Sequence, residues 1–175
     1  MISSKNLYLR PMELADVQIK VKWVNDEKVR KTLAFADYPV SELATDAWLK
    51  KTALDMSRKD FIVCLPDDHA RIGFCGIKNI DYINLKAETY LCIGETKFWG
   101  KGLGLEIKKT LLEYSFNHLN LNKIYSYHQA DNDAMISINM KLKGHNEGLL
   151  KEEVIQNGEM VDMVRIAVLK KEYYL

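Results

Sequence analysis

The sequence predicts an α/β (α+β) fold on a mixed, largely antiparallel sheet of about seven strands, and three observations predict it. Apolar residues recur at helical spacing up to about Met56 and again from Gly100 to Asn122. Short apolar runs punctuated by turn residues fill the middle of the chain. An Asn157-Gly158 pair between two further runs marks a hairpin, because both central positions of a type I′ turn need positive φ.

Taken in order, residues 7–11 read as a short strand stopped by Pro11, which cannot donate to a ladder. Leu14, Val17, Val21 and Val24 mark one buried helical stripe, Asn25-Asp26 interrupts it, and residues 27–33 continue as helix. Residues 34–39 read as loop. Ser41 is placed to cap a helix carrying Ala44, Ala47 and Trp48. Strands at 61–65, 72–77 and 87–94 suit an antiparallel meander. A helix opened by Gly100 to Gly104 follows, then a strand at 123–129, a short helix at 134–142, and strands at 152–156 and 160–169 around the hairpin turn.

A chain of 175 residues that is 47% hydrophobic and 28% charged suits one domain, 1–175, with a packed core. Lys plus Arg total 25 against 24 Asp plus Glu, so no global field draws the chain to nucleic acid or to a membrane. The basic positions Lys20, Lys22 and 28–31 read as a solvated helix face. Cys64, Cys75 and Cys92 lie in apolar runs without metal spacing, which predicts buried, reduced thiols and no metal. With no signal-like apolar stretch at the start and no run of about 20 apolar residues, the expected location is the cytoplasm. A homodimer is compatible with these features.

The informative junction is Ile93-Gly94-Glu95-Thr96-Lys97-Phe98-Trp99-Gly100-Lys101-Gly102-Leu103-Gly104, where a strand runs into a helix through glycines spaced by two. Gly100, Gly102 and Gly104 let backbone approach a ligand, and the first helical amides add the positive end of the dipole, so an anion such as a pyrophosphate is the natural guest. The spacing differs from the dinucleotide fingerprint, and Gly102-Leu103 excludes a P-loop. A structural turn remains the other reading of the glycines alone.

From Ala87-Glu88 to Glu106 the chain resembles the GNAT superfamily of N-acetyltransferases, in the branch of ribosomal-protein alanine and spermidine N-acetyltransferases. Phe98-Trp99-Gly100-Lys101-Gly102-Leu103-Gly104 is similar to that branch's pyrophosphate loop, with Trp99 where the general motif has Gln or Arg. Leu9-Arg10-Pro11, Trp23 to Asp26, Asn117 to Tyr125 and Glu147 to Leu150 extend the likeness over essentially the whole chain. The resemblance implies a GNAT fold with helices on both faces of the sheet. It implies acetyl-CoA as cosubstrate, held in a V-shaped opening between the strand ending at Ile93-Gly94 and the strand ending near Gln129. Cys92, Ile93, Gly94, Trp99, Gly100, Lys101, Gly102, Leu103, Gly104 and Asn132 are then the expected cofactor contacts; Asn132 reads equally as a helix N-cap.

Transfer of acetyl from a thioester to a primary amine needs a neutral amine and a proton for the departing thiolate. The resemblance points to Glu88 as base, with His128 as runner-up; an ion-paired carboxylate and a hydrogen-bonded strand histidine are the bland readings. The family's usual acid, a tyrosine, falls on Asn139, which cannot deliver a proton at neutral pH. Water, the ammonium product or Ser137 is left to supply it, and a non-catalytic acetyl-CoA sensor or interaction domain stands as the alternative class. Cys92 as acyl carrier is disfavoured by its apolar setting. The acceptor is expected to be a peptide or protein N-terminus or another small amine, an amino sugar or polyamine being alternatives. The Leu33 to Tyr38 segment holds one carboxylate and offers a polycation little charge. Trp23, Phe35, Tyr38 and Trp48 read as core or as pocket wall.

Overall fold

The computed structural model describes residues 1–33 and 38–175. Ile2–Ser3 (β1) and Tyr8–Pro11 (β2) open a sheet, and a 3₁₀ turn at Leu14–Asp16 leads into Val17–Asn25 (α1), Glu27–Arg30 (α2) and Glu42–Thr52 (α3). Lys59–Cys64 (β3), Arg71–Asp81 (β4) and Lys86–Ile93 (β5) form a meander. Leu103–Asn117 (α4), Lys123–Gln129 (β6), Asp133–Lys141 (α5), His145–Gln156 (β7), Glu159–Leu169 (β8) and Lys170–Tyr173 (α6) follow.

The eight strands lie in the order β1-β2-β3-β4-β5-β6-β8-β7. Every described neighbouring pair is antiparallel except β5 with β6. Parallel strands need a crossover, and α4 supplies it. Its register is short: Lys86, Ala87 and Glu88 pair with Lys123, Ile124 and Tyr125, and beyond them the two strands continue unpaired with each other. This parting of β5 and β6 makes the V on which the site is built.

Helices cover both faces. Ile107, Leu111, Leu112 and Phe116 of α4 join Leu9, Ile72, Ile77 and Ile124 in one buried cluster. Val17, Trp23 and Val24 of α1, Val29 of α2 and Leu49 of α3 join Ile62, Phe74 and Cys92 in the other. Local chemistry sets the helix boundaries. The Asp26 carboxylate accepts from the amides of Lys28 and Val29 at 2.9 and 3.1 Å, which separates α2 from α1, and Ser41 Oγ accepts from the Ala44 amide at 3.1 Å. Asp16, fully buried, receives two hydrogen bonds from Arg10 at 2.7 Å and so ties the start of α1 to β2.

The sheet has one strand more than the sequence predicts, the two-residue β1. β7 is also longer than its expected start at 152: it begins at His145 as a mostly exposed edge, kinked where the register shifts between Asn146 and Gly148, so no apolar alternation announces it. The hairpin turn is as expected, with Asn157 at φ 52° and Gly158 at 81°. No helix among the described residues is long and apolar enough to cross a membrane.

Candidate active site

The glycine-rich junction sits where β5 ends. A 3₁₀ turn at Thr96–Phe98 carries the chain to Gly100 and Gly102, both in the left-handed region at φ 73° and 80°, which only glycine adopts without strain. A Cβ at either would meet nothing within 4 Å, so backbone conformation, and not crowding, demands glycine there. Gly104 differs: a Cβ there would lie 3.1 Å from Ile138 of α5, so its smallness serves helix packing. Gly94 is packed against Trp23, whose ring would lie 2.1 Å from a Cβ. Trp99 donates from Nε1 to the Ile93 carbonyl at 2.7 Å and clamps the loop to the strand end. Lys101 is exposed. No side chain caps α4, so its first amides, including Leu103 and Gly104, stay available to an anion.

Between the parted strands lies a cavity of about 350 Å³ lined by Glu88, Leu91, Cys92, His128 and Asn132. Glu88 lines it while ion-paired to Lys78 at 3.0 Å and accepting from Asn79 Nδ2 at 3.0 Å. Asn132 lines it and also caps α5, its Oδ1 accepting from the Met135 amide at 3.1 Å. Cys92 is buried, and burial pushes its thiol up to about 12, which disfavours a thiolate nucleophile. Ser137 is exposed and does not line this cavity.

At the apex of the V stands a group the sequence analysis missed. Thr89 and Ser126 are the first residues past the last parallel pair, and the fully buried Lys108 of α4 donates from Nζ to both hydroxyls, at 2.6 and 3.0 Å. Burial brings its ammonium down to about 7, against the opposing pull of Glu88. Its neighbours Ile107 and Leu111 belong to the buried arc of α4, and that helical position is the signal that marks Lys108 as inward.

The chain of polar groups continues towards the cavity. Ser126 Oγ lies 2.9 Å from His128 Nε2, and Asn139 Nδ2 donates to the same nitrogen at 2.9 Å and to the Met135 carbonyl at 2.8 Å. The carbonyl bond fixes which end of the amide is the donor, so His128 Nε2 accepts and its proton sits on Nδ1. Burial and the nearby Lys108 charge push the imidazole down to about 3, so it is neutral at physiological pH. Asn139 itself is wholly buried and does not line the cavity; it positions His128.

A second cavity of about 350 Å³ lies against α1 and α3 and shares Phe74, Lys78 and Tyr90 with the first. Trp48 and Tyr38 belong to its wall, whereas Trp23 is core, its Nε1 donating to Glu95 at 2.8 Å. Phe35, with most of the segment weighed for acceptor charge, lies outside the described residues. Lys20 also lines this cavity, in contrast to the solvated face expected of it; Lys22 and Lys28 are exposed.

A parallel strand pair that parts beside an uncapped, glycine-opened helix offers free amides to an anion at the mouth of an open cleft. The acetyltransferase (GNAT) domain model matches residues 6–145, and the chain belongs to that family. It is 29% identical over 172 residues to an uncharacterized N-acetyltransferase, p20, of Bacillus licheniformis, covering 97% of this chain and 96% of that one. It is 28% identical over 174 residues to the spermidine N(1)-acetyltransferase of Escherichia coli K12, covering 99% and 91%. The crystal structure of spermidine N-acetyltransferase from Vibrio cholerae in complex with CoA and spermine superimposes with a TM-score of 0.91 at 26% identity, covering 98% of this chain and all of that one. The protein is thus an acetyl-CoA-dependent N-acetyltransferase acting on an amine.

Proposed function

We propose that the chain, a single cytoplasmic domain, acetylates the primary amine of a small molecule, holding acetyl-CoA between the parted ends of β5 and β6. The observation that carries this reading is the V itself, whose arms separate after Glu88 and Tyr125 next to the loop at Gly100 and Gly102. The amides that open α4, with Gly100, Lys101 and Gly102, would hold the diphosphate, and the backbone of Cys92 to Gly94 would hold the pantetheine arm. Trp99 serves as the clamp that holds this loop in place. The three cysteines are buried and free of disulfides, which supports the cytoplasmic reading.

When bound, acetyl-CoA supplies an activated acetyl group and a thiolate leaving group. Glu88, in the cavity wall, takes a proton from the bound ammonium, directly or through water, which frees the neutral amine to attack; the proton its nitrogen sheds as the amide forms passes to water. His128 supplies the other proton from Nδ1. As Nδ1 gives its proton to the departing thiolate, Nε2 takes one from the Ser126 hydroxyl and Ser126 one from the Lys108 ammonium, so the imidazole stays neutral, Lys108 ends neutral and the chain has given up one proton. This relay takes the place of a tyrosine acid, and Asn139 acts in it as a positioning residue. Relatives that acetylate spermidine favour a polyamine as a second acceptor class.

The test is thiol release from acetyl-CoA with a panel of polyamines, amino sugars, amino acids and short peptides, alongside calorimetry with CoA. Release with one class names the acceptor; no saturable CoA binding sinks the reading. Gly102→Asp places a carboxylate at a left-handed position facing the diphosphate, and CoA affinity is expected to fall by about tenfold or more. Unchanged affinity in that variant removes the loop from the site.

A further inference from the structure

The second cavity, beside the cavity that holds Glu88 and His128, has an unusual charge balance. Among its described lining residues are Lys20, Arg58 and Lys78, and no carboxylate. Two of the cations are already matched behind the wall. Arg58 donates to Asp60 through Nε and Nη2, both at 2.7 Å, and Tyr90 OH donates to the same carboxylate. Lys78 is paired with Glu88 at 3.0 Å.

Lys20 is the cation left over. Its Nζ stands 3.5 Å from the centre of the Trp48 ring and 5.3 Å from that of Phe74. It has no hydrogen bond or ion pair to an acceptor among the described residues. Aromatic faces attract an ammonium but accept none of its hydrogen bonds in the way an oxygen does, so the half-buried Lys20 keeps donors that solvent or a guest of the cavity must meet. Burial accordingly brings Lys20 down to about 8, with Arg58 pushing the same way and Asp60 and Cys92 opposing.

We propose that this cavity is the acceptor subsite and that the amine acetylated here carries an anionic group, a carboxylate or phosphate, which pairs with Lys20. This rests on the reading above, since the shared wall of Phe74, Lys78 and Tyr90 sets the subsite next to the reacting centre. The anion supplies the oxygens that Lys20 lacks, and the aromatic wall takes the apolar body between anion and amine. Among the described lining residues a polycation meets three positive side chains and no carboxylate.

The experiment compares matched amines with the full-length enzyme: glucosamine against glucosamine 1-phosphate, 5-aminopentanol against 5-aminopentanoate, and spermidine. The anionic member of at least one pair is expected to have kcat/KM about tenfold or more above its neutral partner, the scale of one charge-assisted hydrogen bond, and the two pairs separate phosphate from carboxylate. Lys20→Met keeps the apolar stem and removes the charge. It is expected to bring that ratio to about one through KM, with CoA affinity unchanged as the check on folding, and Lys20→Arg to restore most of the preference. Equal rates within both pairs, a ratio that survives Lys20→Met, or spermidine as the best acceptor overturns the proposal while leaving acetyl transfer standing. CoA binding with no transfer to any amine overturns both.

Discussion

Lys20 and Lys108 each carry an ammonium off the open surface, the first half-buried against α3 and the second fully buried under the apex of the parted strands. Lys108 is sealed and answered by two hydroxyls at 2.6 and 3.0 Å. Lys20 is answered by an aromatic face and opens on a cavity. The contrast separates two uses of one side chain. A lysine whose donors are met inside the protein serves as an internal proton store, and one whose donors are left over at a cavity wall serves to meet a ligand.

The largest effect that can break this comparison is expected from Lys108→Met. Methionine fills nearly the same length without charge, and an apolar replacement of a buried ion is often neutral or stabilising, so the variant should fold. Its kcat is expected to fall by about 10²-fold or more, the scale of a lost acid–base group, with CoA affinity kept. Stability carries an independent sign. Lys108 titrates at about 7 when folded and at 10.5 ordinarily, so between those values the unfolded chain binds more protons and stability rises with pH. Relative to Lys108→Met, the wild type should therefore gain stability from about pH 7 to 10.5 in urea unfolding. A flat difference, with undiminished kcat, makes Lys108 a structural wedge and no more.

A smaller change tests the positioning of His128. Asn139→Asp replaces the donor that faces Nε2 by an acceptor, so the proton moves to Nε2 and Nδ1 loses its hydrogen. Activity should fall about tenfold or more, and the ¹⁵N shifts of the ring should report the exchanged tautomer. The added carboxylate also raises the imidazole above its value of about 3, because an opposite charge favours the imidazolium. If the tautomer changes and the rate does not, His128 leaves the proton path.

The two lysines also mark what was legible from sequence. Gly100 and Gly102 were readable because the left-handed turn they form admits almost no other residue, so composition reports geometry directly. The β5–β6 opening was expected from family likeness, and the strand limits of β6 came out to the residue because Lys123 to Gln129 lies between two unambiguous breaks. Lys108 beside Lys109 looks like any solvated pair, and only its angular position on α4 sets it apart. Lys20 shares a helix with the exposed Lys22, and its burial depends on Trp48, contributed by another helix. Charge placement of that kind is a tertiary fact, absent from local pattern. From sequence Asn139 reads as a failed acid because alignment gives position without environment; the bonds to His128 and Met135 supply the environment.

The last and smallest test sets both lysines on one axis. Lys20 titrates at about 8 folded and 10.5 ordinarily, so its contribution to stability also rises with pH, over a window that opens about one unit later than that of Lys108. An anion bound at Lys20 favours the charged form and lifts its folded value back towards 10.5, which closes the window. Comparing wild type with Lys20→Met by urea unfolding, the difference should climb between pH 8 and 10.5 in low salt and flatten when glucosamine 1-phosphate or inorganic phosphate is added. The difference against Lys108→Met should be unmoved by the same anion, because Lys108 is buried and lines neither of the two cavities. If phosphate flattens neither curve, Lys20 is held by Trp48 alone and the distinction between the two lysines is one of depth, with no ligand behind it.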